Sequence, residues 1–204
     1  MRLDSYLAEI NPDYSRSKLA DLIKRGFVLV DGKSITKPGF EIQGTEKIEL
    51  IKDEVFVSRA GDKLSHALDL FNINLVDKTV IDVGASTGGF TDLSLRRGAS
   101  LVYSYDVGTD QLHESLKKDV RVKNLDKTNI LDVELPEHDI CVIDVSFTSI
   151  FPILDHVLSH SKEVVFLLKP QFETEGNGLK KGVLKDEKIL KRVLEKTTKY
   201  INEK

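Results

Sequence analysis

Thr79-Val-Ile-Asp-Val-Gly-Ala-Ser-Thr-Gly-Gly-Phe-Thr91 constrains this chain more than any other stretch. Thr79 to Val83 is a short apolar run with β-branched residues, the pattern of a buried strand. It breaks into Gly84-Ala85-Ser86-Thr87-Gly88-Gly89, and Leu93 and Leu95 with the polar residues between them suit a following helix. Glycines at the carboxyl end of a strand let a ligand approach the backbone closely. The helix N-terminus beyond offers unpaired N–H groups. In an open α/β sheet this edge is where ligands bind.

The loop excludes two common ligand classes. A phosphate loop ends in Gly-Lys-Ser/Thr, which this loop lacks, and Gly84 is followed by three residues before Gly88, so the dinucleotide spacing G-x-G-x-x-G is not met. The acid-Gly-x-x-x-Gly-Gly spacing from Asp82 resembles the S-adenosylmethionine loop of class I methyltransferases. Taken alone, the loop also reads as an ordinary strand-to-helix turn. Leu101-Val-Tyr-Ser-Tyr-Asp106 is a second predicted strand ending in a carboxylate, the place for an acid that accepts hydrogen bonds from two ribose hydroxyls.

With 204 residues the chain can hold one large or two small domains, and 40% apolar residues suffice for a real core. No apolar run reaches the ~18 residues of a membrane span, and Met1-Arg2-Leu3-Asp4 lacks an apolar leader, so a soluble, cytoplasmic protein is expected. The single cysteine, Cys141, rules out an intramolecular disulfide and lies in the apolar run Ile140 to Ile143, as a buried structural thiol does. A net charge of −3 gives no global case for nucleic-acid binding, so RNA contact must come from local basic patches.

Residues 1–57 differ from the rest. Leu3, Tyr6, Leu7 and Ile10 form a helical stripe that Asn11-Pro12-Asp13 breaks. Ser15 suits the N-cap of a second helix, Arg16 to Arg25, which stops at Gly26. Phe27 to Val30, the Asp31-Gly32 turn and Lys33 to Ile35 predict a hairpin, and Ile48 to Ile51 a closing strand. Through Arg2-Leu-Asp4, Ser15-Arg-Ser17, Gly26-x-Val28, Val30-Asp-Gly32 and Lys37-Pro38 this segment resembles the S4 RNA-binding module, a small α+β domain. The resemblance implies RNA contacts at Arg2, Arg16, Lys18, Lys24 and Arg25, with Lys33 and Lys37 at the rim, where cations neutralise phosphates. A solvated helix face is the bland alternative. Residues 52 to 58 are read as a short joining segment.

From residue 58 onward strands alternate with helices, which argues for a doubly wound α/β sheet. Leu64, Ala67, Leu68 and Phe71 mark one helix face, with Lys63 at its start. A helix through Gln111, Leu112 and Leu116 and a short strand near Arg121 to Leu125 follow. Asp139 to Asp144 and Glu163 to Leu168 are further buried strands, and Asp186 caps a last helix bearing Ile189, Leu190, Val193 and Leu194. The strands end in Asp82, Asp106, Asp144 and Lys169, and in a parallel sheet these carboxyl ends share one edge.

Ser58-Arg-x-Gly-x-Lys-Leu64, Asp82 to Thr91, Asp144-Val-Ser-Phe147 and Leu168-Lys-Pro-Gln-Phe-Glu173 together resemble the TlyA family, with Lys180-Lys-Gly-Val183 as a weaker match. Members join an S4 module to an FtsJ-like ribose 2′-O-methyltransferase acting on ribosomal RNA, and many carry the label haemolysin. The resemblance implies residues 58–204 form a class I, Rossmann-like methyltransferase domain. It implies S-adenosyl-L-methionine as cofactor, ribosomal RNA or a ribosomal subunit as partner, and no metal.

Of the family's Lys-Asp-Lys-Glu set, Lys63, Asp144 and Lys169 match. Lys169 is expected to hold and activate the 2′-OH, with Lys63 and Asp144 orienting it and tuning its ionisation. Cofactor contacts are expected from Asp82, Gly84, Ala85, Ser86, Gly88 and Phe90, with Asp106 on the ribose and Asp126 on the adenine side. A simple turn is the other reading of Asp126. The final glutamate has no counterpart before Lys204. Either the sequence stops short, or this member lacks the last strands of the sheet. A non-catalytic RNA-binding protein is therefore the alternative. A membrane-lysing protein is suggested by the family label alone.

Overall fold

A computed structural model of the chain describes every residue except Asp13, residues 52–56, Arg59, Glu175 and Lys181. Most of the joining segment, Arg59 of the Ser58 motif and Lys181 of the Lys180 motif thus lie outside the described residues. The backbone divides into two compact units, Met1–Val55 and Phe56–Lys204.

In the first unit, helices α1 (Leu3–Ile10) and α2 (Arg16–Lys24) accompany strands β1 (Val28–Val30), β2 (Lys33–Ser34) and β3 (Ile48–Leu50), paired antiparallel in the order β2-β1-β3. The Ser15 side chain accepts the Lys18 backbone N–H at 3.2 Å, the cap its sequence position predicts. Asp31 and Gly32 both take positive φ (48° and 74°), the backbone a tight two-residue hairpin needs. Leu3, Leu7, Leu19, Leu22, Ile23 and Val28 are fully withdrawn from water and close this core.

The second unit opens with α3 (Ala60–Phe71) and then alternates β4 (Thr79–Val83), α4 (Gly89–Arg96), β5 (Leu101–Tyr105), α5 (Glu114–Lys117), β6 (Val122–Leu125), β7 (Ile140–Ile143), α6 (Phe151–Val157) and β8 (Glu163–Phe166). A small hairpin, β9 (Leu179–Lys180) and β10 (Val183–Leu184), precedes α7 (Glu187–Asn202), whose first N–H groups the Asp186 carboxylate caps. The five parallel strands lie in the order β6-β5-β4-β7-β8. Their side chains alternate between two cores. Val80, Val102, Val122 and Val142 meet α3 and α4, whereas Ile81, Val83, Cys141 and Ile143 meet α6. This is a doubly wound α/β sheet with one apolar core on each face.

Two predicted helices differ in detail. The segment from Gln111 to Leu116 forms only the single turn Glu114–Lys117, capped by His113. Leu112 and Leu116 are instead spent under Gly88, where a Cβ would come within 2.7 Å of Leu112 Cδ1 and 2.3 Å of Leu116 Cδ1. In α7, Val193 is buried but Leu190 and Leu194 are 37% and 48% exposed, because the helix buries only one narrow stripe, Val193 and Thr197.

Candidate active site

The carboxyl end of β4 builds the first wall. Gly84 has φ +81°, and a Cβ there would stand 2.9 Å from the Asp144 carbonyl oxygen, so the loop lies directly against the backbone leaving β7. Only glycine combines that φ with that proximity. A cavity of about 560 Å³ opens beside it, lined by Lys63, Gly84, Ala85, Ser86, Phe90, Asp144, Ser146 and Lys169 among others.

Three elements bring charge to this cavity. The early turns of α3 carry Lys63, the exit of β7 carries Asp144, and the exit of β8 carries Lys169. Lys63 Nζ lies 3.6 Å from Asp144 Oδ2, and Lys169 Nζ lies 2.5 Å from Asp144 Oδ1. Lys169 also donates to Ser146 Oγ at 2.6 Å. The Lys169 side chain is 18% exposed against 50% for Lys63, so Lys169 is the better shielded amine. The loops after β7 and β8 are tied further on. Glu173 accepts from Ser149 Oγ at 2.7 Å and from the Ile150 N–H at 2.8 Å, and the Phe147 and Phe172 rings meet at 5.3 Å.

An adjoining cavity of about 660 Å³ shares Gly84, Ser86, Asp144 and Ser146 with the first and runs towards Tyr105, Asp106, Gln111, Asn129, Ile130 and Leu131. The Asp106 carboxylate accepts the Ser86 N–H on one oxygen and the Gly108 N–H on the other, both at 2.7 Å. Each oxygen keeps a lone pair for a further donor.

Not all the strand-end groups face this cleft. Asp82 is fully buried and lines neither cavity. It shares the β4 face of Val80, so its side chain turns to α4, where Thr91 Oγ1 donates to Asp82 Oδ2 at 2.7 Å and meets Ser104 Oγ at 2.7 Å. Burial pushes its carboxyl up to about 7, against the hydrogen bonds from Thr91, with the Asp144 and Asp106 charges adding to the rise. Asp126 also misses the cavities and accepts the Asp110 N–H at 3.2 Å, a turn role. Asn129, Ile130 and Leu131 line the second cavity in its place. Their only sequence signal is a short apolar pair after a polar run. Ser146 was within reach, since it sits inside the Asp144-Val-Ser-Phe motif. Burial pushes the Cys141 thiol up, as suits a structural residue.

In the first unit the Asp4 carboxylate, 4% exposed, gathers two arginines. Arg2 donates through Nε and Nη2 at 3.0 and 2.9 Å, and Arg16 through Nε and Nη2 at 3.2 and 3.1 Å. The Arg2 hydrogen bond leads in holding the Asp4 carboxyl down at about 2, although burial opposes it. Lys24, Lys33 and Lys37 are exposed and Lys18 is half-buried. Arg25 is drawn inward, its guanidinium 4.7 Å from the Phe27 ring centre and 17% exposed.

The FtsJ-like methyltransferase family profile matches residues 56–203, and the S4 domain profile matches residues 1–48. The chain belongs to the FtsJ-like methyltransferase family. Among its relatives, Hemolysin A of Brachyspira hyodysenteriae is 41% identical over 95% of this chain and 85% of that protein. The 16S/23S rRNA (cytidine-2′-O)-methyltransferase TlyA of Mycobacterium tuberculosis is 37% identical over 94% of this chain and 75% of its own. A solved structure from Streptococcus thermophilus, named provisionally as a hemolysin, superposes with a TM-score of 0.69 at 35% identity, covering 98% of this chain and 77% of that one. Among the described residues of this FtsJ-like chain, no helix is long and apolar enough to cross a membrane.

Proposed function

We propose that this chain carries out S-adenosyl-L-methionine-dependent 2′-O-methylation of ribosomal RNA in the cytoplasm, with an S4 domain (residues 1–57) docking the RNA and residues 58–204 catalysing transfer. The assembly of Lys63, Asp144 and Lys169 around one cavity carries this reading. The residues fit the cofactor. A glycine loop with no room for a Cβ at Gly84 lies beside a carboxylate, Asp106, with lone pairs left for a ribose diol. Asn129, Ile130 and Leu131 suit the flat adenine, while Asp82 and Asp126 support the loop and turn around it.

S-adenosyl-L-methionine, when bound, supplies a methyl group on a sulfonium, and an oxygen must approach that carbon in line. Lys169 accepts the 2′-OH proton through Nζ. Asp144 holds Lys169 on one oxygen and Lys63 near the other, so the pair of amines and the carboxylate keep one geometry around the ribose. Arg2 and Arg16, with Lys18, Lys24, Lys33 and Lys37 around them, contact phosphates. Arg25 contributes less, being turned onto Phe27.

Calorimetric titration of S-adenosyl-L-methionine into the protein and into Asp106→Ala tests the cofactor site. Methyl incorporation into ribosomal RNA by the protein and by Lys169→Ala tests the reaction. Binding lost in Asp106→Ala and methylation lost in Lys169→Ala are expected. Full methylation by Lys169→Ala removes the proton-acceptor assignment. RNA binding with no cofactor binding at all replaces this reading with a non-catalytic RNA-binding protein.

A further inference from the structure

We infer that Ser146 is a positioning residue for the reaction, the hydrogen-bond acceptor that aims Lys169 Nζ at the substrate hydroxyl. The inference rests on the reading of Lys169 as proton acceptor and extends it to a residue outside the Lys-Asp-Lys set. Lys169 Nζ donates a hydrogen bond to Ser146 Oγ at 2.6 Å and lies 2.5 Å from Asp144 Oδ1 as an ion pair that lacks hydrogen-bond geometry, and all three residues line the same cavity.

A primary amine able to take a proton carries two N–H bonds and one lone pair. The hydrogen bond to Ser146 fixes rotation about the Cε–Nζ bond and leaves the lone pair two staggered directions. The direction facing the Asp144 carboxylate is disfavoured by charge, so the lone pair points away from it. After proton transfer the new N–H occupies the direction the lone pair held, so no side chain needs to move.

The chemistry of the acceptor matters as well. A second carboxylate beside the amine favours ammonium, which has no lone pair to offer. A hydroxyl orients the nitrogen without adding charge. The loop that carries Ser146 is also held to the loop that carries Lys169, through Glu173 on Ser149 and Ile150 and through Phe147 on Phe172. Ser146 is itself exposed, so its hydroxyl has no packing role that would explain the 2.6 Å contact.

The test compares Ser146→Ala, Ser146→Thr and Lys169→Ala with the unaltered full chain, reading kcat and KM for ribosomal RNA and the calorimetric Kd for S-adenosyl-L-methionine. Loss of orientation is expected to lower kcat of Ser146→Ala roughly 10- to 100-fold, with KM and Kd within about twofold. Ser146→Thr, which restores the oxygen, is expected to regain most of the rate. The retained cofactor Kd shows that the variants are folded. The proposal is overturned by Ser146→Ala at unaltered kcat while Lys169→Ala is inactive. It is equally overturned by a loss confined to KM or Kd, or by a loss that threonine does not repair. Lys169→Ala at full rate is a different failure, of the proton-acceptor reading itself, and the inference falls with it.

Discussion

Thr91 donates a 2.7 Å hydrogen bond to Asp82 Oδ2 inside the core between the sheet and α4, where neither side chain touches water. Asp82 Oδ1 has no hydrogen-bond partner there. A carboxylate in that position resists ionisation, and its carboxyl is pushed from 3.8 to about 7.

Stability should follow that shift. A carboxyl raised in the folded state contributes fully below the unfolded value and loses its contribution as pH rises through the folded one. Between pH 3.8 and about 7 the protein should therefore lose stability relative to Asp82→Asn, which cannot ionise. Melting temperatures of both proteins at pH 5 and pH 8 measure the gap. A gap that does not move in favour of Asp82→Asn at pH 8 contradicts the assignment.

Asp4 should matter to RNA binding although it carries the wrong charge for it. It fixes Arg2 and Arg16 in one pose, so Asp4→Asn is expected to weaken RNA binding without removing a cation. The slope of log affinity against log salt should stay near the unaltered value in Asp4→Asn and fall by about 1 in Arg16→Ala. Equal slopes in both variants would count against phosphate contact by Arg16.

Gly84→Ala meets both a backbone and a steric obstacle, φ +81° and the Asp144 carbonyl 2.9 Å from the new Cβ. It should cost more than about 1 kcal/mol of stability and weaken cofactor binding. Gly32→Ala has a similar φ of +74° but nothing within 4 Å, so it isolates the backbone cost. Denaturant unfolding of the two variants separates the effects, and equal losses would mean the Asp144 contact adds nothing.

Glu173→Ala removes the acceptor of the Ile150 N–H at the start of α6. A lost N-terminal acceptor of this kind costs about 1 kcal/mol. Hydrogen exchange at the Ile150 amide should accelerate, with protection in β4 unchanged. Unchanged exchange at Ile150 would show that the loops after β7 and β8 do not depend on this contact.

Much of the molecule could be read from residues in order. Ser15 and Asp186 as caps, the Asp31-Gly32 turn and the strand ending at Val83 all depend on chemistry within a few positions, which is what a linear pattern records. Lys63, Asp144 and Lys169 were recognisable because each sits in a local motif. Their meeting is a property of strand order: parallel β4, β7 and β8 put their exits on one edge, and α3 returns Lys63 to the same edge.

Sequence position alone left the placing of Asp82 and Asp126 open. At the end of a strand an acid can face the cleft or the core, and the two-residue alternation that puts Val80 against α4 puts Asp82 there too. Asp126 was equally ambiguous until Asp110 came within reach of it. The chain by itself determined the element order, the glycine loop and the residue types of the site, since those follow from local sterics and hydrophobic periodicity. Only the tertiary structure decided which carboxylates share a cavity and that Ser146 stands against Lys169. Those depend on packing between segments far apart in the chain, where no local pattern reaches.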